Sequence, residues 1–63
     1  MKAVYTTFAD IYAAVKSGRT VYWSTMAYTV IYNAKVDEYY IKCGTHFVGV
    51  YEPDYVPFDF FSL

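Results

Sequence analysis

Residues 19–33 read RTVYWSTMAYTVIYN. β-Branched and aromatic side chains dominate the stretch and alternate with period two, the repeat of a strand whose two faces meet different surroundings. Thr25-Met26 interrupts the alternation. The stretch therefore predicts a hairpin with strands at about 20–24 and 27–33. Two more runs continue the pattern, EYYIKC at 38–43 and HFVGVYE at 46–52. Turn-like residues separate them, Asn33 to Asp37 and then Gly44-Thr45. The sum is a four-stranded antiparallel meander.

The strand registers can be tested against one another. With Thr25-Met26 as the first turn, Ser24 faces Ala27, Trp23 pairs with Tyr28 and Val21 with Val30. With Tyr32 facing Tyr39 across the second loop, Val30 pairs with Ile41 and Tyr28 with Cys43. With Gly44-Thr45 as the third turn, Ile41 pairs with Val48 and Tyr39 with Val50. All of these side chains then share one face, and a slip of one residue would scatter them. The opposite face receives Thr20, Tyr22, Thr29, Ile31, Tyr40, Lys42, Phe47, Gly49 and Tyr51. A solvated face should be polar, yet Tyr22, Ile31, Tyr40, Phe47 and Tyr51 predict a contiguous apolar patch on it. Such patches mark interaction surfaces or are covered by another segment.

Upstream, TFADIYAAVKSG (residues 7–18) changes to a helical period. Phe8, Ile11, Tyr12 and Val15 form one apolar stripe. Thr6 or Thr7 suits the N-cap, Asp10 the first turn, and Gly18 a left-handed C-cap. A helix at about 7–17 is expected to pack on the first sheet face. The fold class is α+β.

Downstream, the last thirteen residues read YEPDYVPFDFFSL. Pro53 and Pro57 argue against a helix or a central strand and for an extended course. The expected organisation is a single α+β domain at 1–52 and an extended aromatic, acidic arm at 53–63. Tyr55, Phe58, Phe60 and Phe61 are its contact side chains. They are placed to cover the aromatic sheet face of their own chain, of a second copy, or of a foreign protein.

Composition supports an interface. A 63-residue chain buries only about 60% of the surface its unfolded form exposes. Small domains add disulfides, a metal or a partner. One cysteine, Cys43, forbids an internal disulfide, and one histidine, His46, leaves no Cys/His cluster for zinc. Aromatics are 24% of the chain, nine of them tyrosines, more rings than so small a core can hold. A homo-oligomer is the expected state, and no cofactor or metal is expected.

The formal charge of −1 argues against a nucleic-acid partner, which needs a basic field. A tyrosine face could still stack single-stranded nucleic acid, and this is the alternative reading. That use needs interleaved cations, and only Lys42 lies on the face, with Arg19 near its edge. No apolar run approaches the roughly 18 residues of a membrane span. The N-terminus has a helical period broken by Asp10 and does not read as a signal peptide. With its lone thiol, the chain is expected in a cytoplasm.

No constellation speaks for catalysis. Cys43 and His46 would face each other at a hairpin rim with no third group to orient the imidazole. Asp37 and Glu38 share one solvated loop, where acid/base pairs need two different environments. Asp54 and Asp59 lack a third ligand for a cation. The chain is read as a non-enzyme.

Lys16-Ser17-Gly18-Arg19-Thr20-Val21-Tyr22-Trp23 fits the pattern K-x-G-[KR]-x-V-Y-W, and Tyr39 to Cys43 fits Y-x-I-x-C. Over about residues 14–43 the chain resembles short uncharacterised proteins of tailed bacteriophages. The resemblance carries no catalytic motif. It implies a bacterial host cytoplasm and an accessory or inhibitor protein that acts by binding a host or phage protein. The phenylalanine-rich tail lies outside the pattern.

Overall fold

The helix forms where its caps direct it. In the computed structural model, which describes residues 2–63, α1 spans Phe8–Lys16. Thr7 is the N-cap, and its Oγ1 accepts the Asp10 amide at 3.2 Å. Ser17 is the C-cap, and Gly18 follows at φ +93°. The Gly18 amide donates to Val15 and the Arg19 amide to Ala14, the paired bonds of a Schellman motif. A side chain at that φ would be strained, so glycine is what lets the chain turn from helix toward sheet.

The strands are β1 Ala3–Val4, β2 Tyr22–Trp23, β3 Thr25–Asn33, β4 Glu38–Cys43, β5 His46–Gly49 and β6 Phe60–Ser62. They form one six-stranded sheet in the order β1-β6-β2-β3-β4-β5, with every neighbouring pair antiparallel. The α+β class stands, with one helix against one sheet. Six strands replace the four that alternation predicts.

The meander half keeps its expected register. Tyr32 faces Tyr39, Val30 faces Ile41, and Ile41 faces Val48. Val50 donates its amide to the Tyr39 carbonyl at 3.0 Å, which carries the same phase past the end of β5. Gly44 has φ +60° at the first position of its two-residue turn, the position a type II′ hairpin reserves for glycine. Asp37 closes the longer β3–β4 loop at φ +52°, a conformation that aspartate tolerates.

The first hairpin departs from expectation. Tyr22 pairs with Thr29, but Trp23 then pairs with Thr25 across a β-bulge. The turn is at Ser24, φ +62°, and not at Thr25-Met26, so the Ser24–Ala27 and Trp23–Tyr28 backbone pairings do not form. The Trp23 and Tyr28 rings still meet edge-on at 5.2 Å. The cause is on the other side of β2. Trp23 pairs with Phe60 and Tyr22 with Phe61, and the Ser24 amide donates to Asp59. β2 is thus shared between two neighbours, and the bulge lets β3 bend away.

The tail is not an extended arm. Pro53 and Pro57 lie in the first positions of two 3-10 turns, Glu52–Asp54 and Pro57–Asp59, where a missing N–H costs nothing. The proline-free Phe60–Ser62 then enters the sheet between β1 and β2. The prolines shape the path that leads to an inner strand. β5 is correspondingly shorter than residues 46–52, ending at Gly49.

α1 and the crossing segment after β5 cover one sheet face. Tyr5, Ile11, Val21, Val30, Ile41 and Phe60 are the buried core. Phe8 meets Phe60 edge-on at 6.0 Å, Tyr12 stacks on Tyr39 at 4.0 Å, and Tyr55 meets Trp23 at 5.5 Å. Ser62 sits buried at the seam. Its Oγ donates to the Thr20 carbonyl at 2.7 Å, and the Tyr5 hydroxyl lies 2.7 Å away. A serine has one proton to give, so Tyr5 is the donor to Ser62. One hydroxyl thereby ties the N-terminal strand, the helix–β2 loop and the last strand. Among the described residues, no helix is long and apolar enough to cross a membrane.

Candidate interaction surface

Cross-strand partners share a face, so the register defines the uncovered side of the sheet. One row across it runs Phe61, Tyr22, Thr29, Lys42, Phe47, and the next runs Ile31, Tyr40, Gly49. Thr29 and Lys42 therefore divide the patch that the sequence predicts as contiguous. Tyr22 belongs to one cluster, with Phe61 at 5.4 Å and the Lys2 ammonium 4.5 Å from the Phe61 ring. Ile31, Tyr40 and Phe47 form the other. With Asn33 they line a shallow groove of about 230 Å³. The Lys42 ammonium lies 5.9 Å from the Phe47 ring.

The tail residues scatter. Phe60 is 0% exposed and belongs to the core. Phe61 is buried beneath Lys2 and beside Tyr22. Neither is a contact residue in this fold, because the strand that carries them is internal to the sheet. Tyr55 is half-buried against Trp23 and Phe60. Phe58 remains exposed on its 3-10 turn. Tyr51 is exposed where the chain leaves β5, outside the groove. Of the nine predicted contact residues, the fold brings Ile31, Tyr40 and Phe47 together in the groove and sets Tyr22 beside Phe61 apart from it.

The groove adjoins an open sheet edge. β5 is exposed along its whole length, with Phe47 56% and Val48 55% accessible. Val48 points to the helix side, but α1 does not reach it. Because Val50 bonds inward to Tyr39, alternation turns the amide groups of Phe47 and Gly49 outward.

A second concavity, about 390 Å³, opens on the helix side between Tyr12, Lys16, the Asp37–Tyr39 stretch, Val50 and Glu52. Composition did not reveal how its charges are organised. Each carboxylate is held by a tyrosine hydroxyl: Tyr12 donates to Glu52 at 2.7 Å, Tyr32 to Asp37 at 2.6 Å and Tyr40 to Glu38 at 3.3 Å. Burial, and then the Glu52 carboxylate, push the Tyr12 phenol well above its ordinary value. The hydrogen bond to Asp37 raises Tyr32, and burial followed by the Glu38 charge raises Tyr40. The Lys16 ammonium lies 5.1 Å from the Tyr32 ring. These pairings account for several surface tyrosines as partners of acids. The close spacing of Tyr32 and Asp37 across one loop was the available signal.

Cys43 and His46 are cross-strand partners beside the Gly44-Thr45 turn, the cysteine half-buried and the histidine exposed. Comparison with protein-family models, with curated proteins and with solved structures found no match to this chain.

Proposed function

We propose that this chain is a non-enzymatic interaction module that associates with a second copy of itself. The observation that carries the reading is the apolar groove of Ile31, Tyr40 and Phe47, left uncovered beside an unpaired sheet edge. The tail, which the sequence offers as a cover, is consumed in building the sheet and leaves this surface free. A chain this small gains from a partner because its own core is limited. The resemblance to short uncharacterised phage proteins, which implies action by binding, points the same way.

Sedimentation equilibrium on the intact chain, from about 10 µM to about 1 mM, tests the reading. The expected result is a reversible, concentration-dependent dimer that Phe47→Asp weakens while the circular dichroism spectrum is kept. A chain that stays monomeric throughout that range overturns the reading.

A further inference from the structure

The self-association just proposed has a specific geometry open to it, and the inference below rests on that reading. The two sheet edges differ. β1 offers two residues, Ala3 and Val4, next to the charge of Lys2. β5 offers four, His46–Gly49, with no lysine, arginine, acid or proline among them. Charges, prolines and short length are the devices that keep exposed edges from pairing. β1 is short and has a lysine beside it, whereas β5 carries no charge or proline within the strand.

We propose that β5 pairs antiparallel with β5 of a second copy about a two-fold axis through Val48. Phe47 of each chain then lies opposite Gly49 of the other. Several features select this register. The outward amides belong to Phe47 and Gly49, so each Phe47–Gly49 pair exchanges both of its N–H···O=C bonds, as a hydrogen-bonded antiparallel pair does. The two Val48 residues form the intervening non-hydrogen-bonded pair, where side chains approach most closely, and their exposed faces cover each other. On the opposite face Gly49 has no side chain and sits beside Tyr40. An aromatic ring packed over an edge glycine compensates for the missing side chain, and Phe47 of the second copy supplies that ring next to Tyr40. A one-residue change of register would set the outward amides of Phe47 opposite the inward-bonded amides of Val48 and lose the pairing.

The strand carries no formal charge, so self-pairing meets no like-charge repulsion. A four-residue edge buries less than the roughly 1,200–2,000 Å² of a stable complex. The dimer is therefore reversible and concentration-dependent, its sheet continuous through the joined edges and both helices on the same side.

Charge placed on the axis tests the register. Val48→Lys and Val48→Glu should each raise the dimer dissociation constant at least about tenfold, because identical charges then face each other. Their equimolar mixture should recover association through a Lys–Glu pair. Val48→Cys in a Cys43→Ser background should oxidise to a covalent dimer, since non-hydrogen-bonded strand pairs fall within disulfide reach. Thr45→Cys in the same background, off the axis, should not. If the unaltered chain dimerises but both charged variants dimerise equally well, the edge pairing is wrong while the interaction reading survives. If the unaltered chain never dimerises, both fall. Circular dichroism on each variant confirms that it is folded.

Discussion

The two halves of the sheet are stabilised by different means. β3, β4 and β5 are sequence neighbours joined by short loops, and their register follows from alternation within each strand. β1, β6 and β2 come from both ends of the chain, and the Tyr5–Ser62 hydrogen bond joins residues 57 positions apart. The meander half ends in an edge that is exposed throughout. The non-local half contains Phe60 and Val21, both fully buried, together with buried Ser62. Local pairing is easily formed but leaves side chains wet, whereas closing the chain ends costs loop entropy and must be offset by dense burial. The stability of this protein should therefore reside where its contacts are most distant in sequence.

Mutations can break that contrast. Phe60→Ala should be the most damaging, destabilising by about 3–5 kcal/mol, enough to unfold much of a domain this small. Val48→Ala on β5 should cost under about 1 kcal/mol, since the valine is already mostly in water. Urea denaturation followed by circular dichroism measures both. Equal effects would mean that the two halves contribute alike. Ser62→Ala is expected next, at about 1–3 kcal/mol, because it strands the Tyr5 hydroxyl and the Thr20 carbonyl in a buried seam. The paired change Tyr5→Phe with Ser62→Ala should cost less than the sum of the single changes, because they share one bond.

The smallest effect concerns the cleft at the helix-side rim of the meander. Tyr12 holds its proton more tightly folded than unfolded, because of burial and then Glu52. An unfolded tyrosine ionises near pH 10. The contribution is therefore complete below about pH 10 and is lost as pH rises toward the higher folded value. Tyr32 and Tyr40 shift in the same direction. Denaturation midpoints should fall as the pH rises from about 10 to about 11.5, and Tyr12→Phe should flatten that slope. An unchanged slope would show that burial and Glu52 do not hold the Tyr12 proton in solution.

The dependence on sequence distance also explains what could be read in advance. The helix was legible because Thr7, Ile11 and Gly18 act within about three turns of one another. The β3–β4–β5 registers were legible because Val30, Ile41 and Val48 could be aligned through their short loops. Phe60-Phe61-Ser62 was not. Its side chains are buried on both faces, so it has no alternation, and three residues are too few to define a period. Pro57 then suggested that the chain should avoid the sheet, although it only shapes the turn before it. β1 was hidden for the same reason, being two residues long. Of the candidate surface, Ile31, Tyr40 and Phe47 followed from the register. Phe60 and Phe61 were misplaced along with their strand, and Thr29 and Lys42, which split the patch, were on the predicted face all along.

The sequence alone determined the α+β class, the helix and its caps, and the phase of the three strands of the meander, because each depends on residues close along the chain. Tertiary structure decided the order β1-β6-β2, the bulge at Trp23 and the burial of the tail. Those choices turn on which distant segments bury the most surface together. Phe60 sits in a slot whose walls, β1, α1 and β2, all lie far from it in sequence.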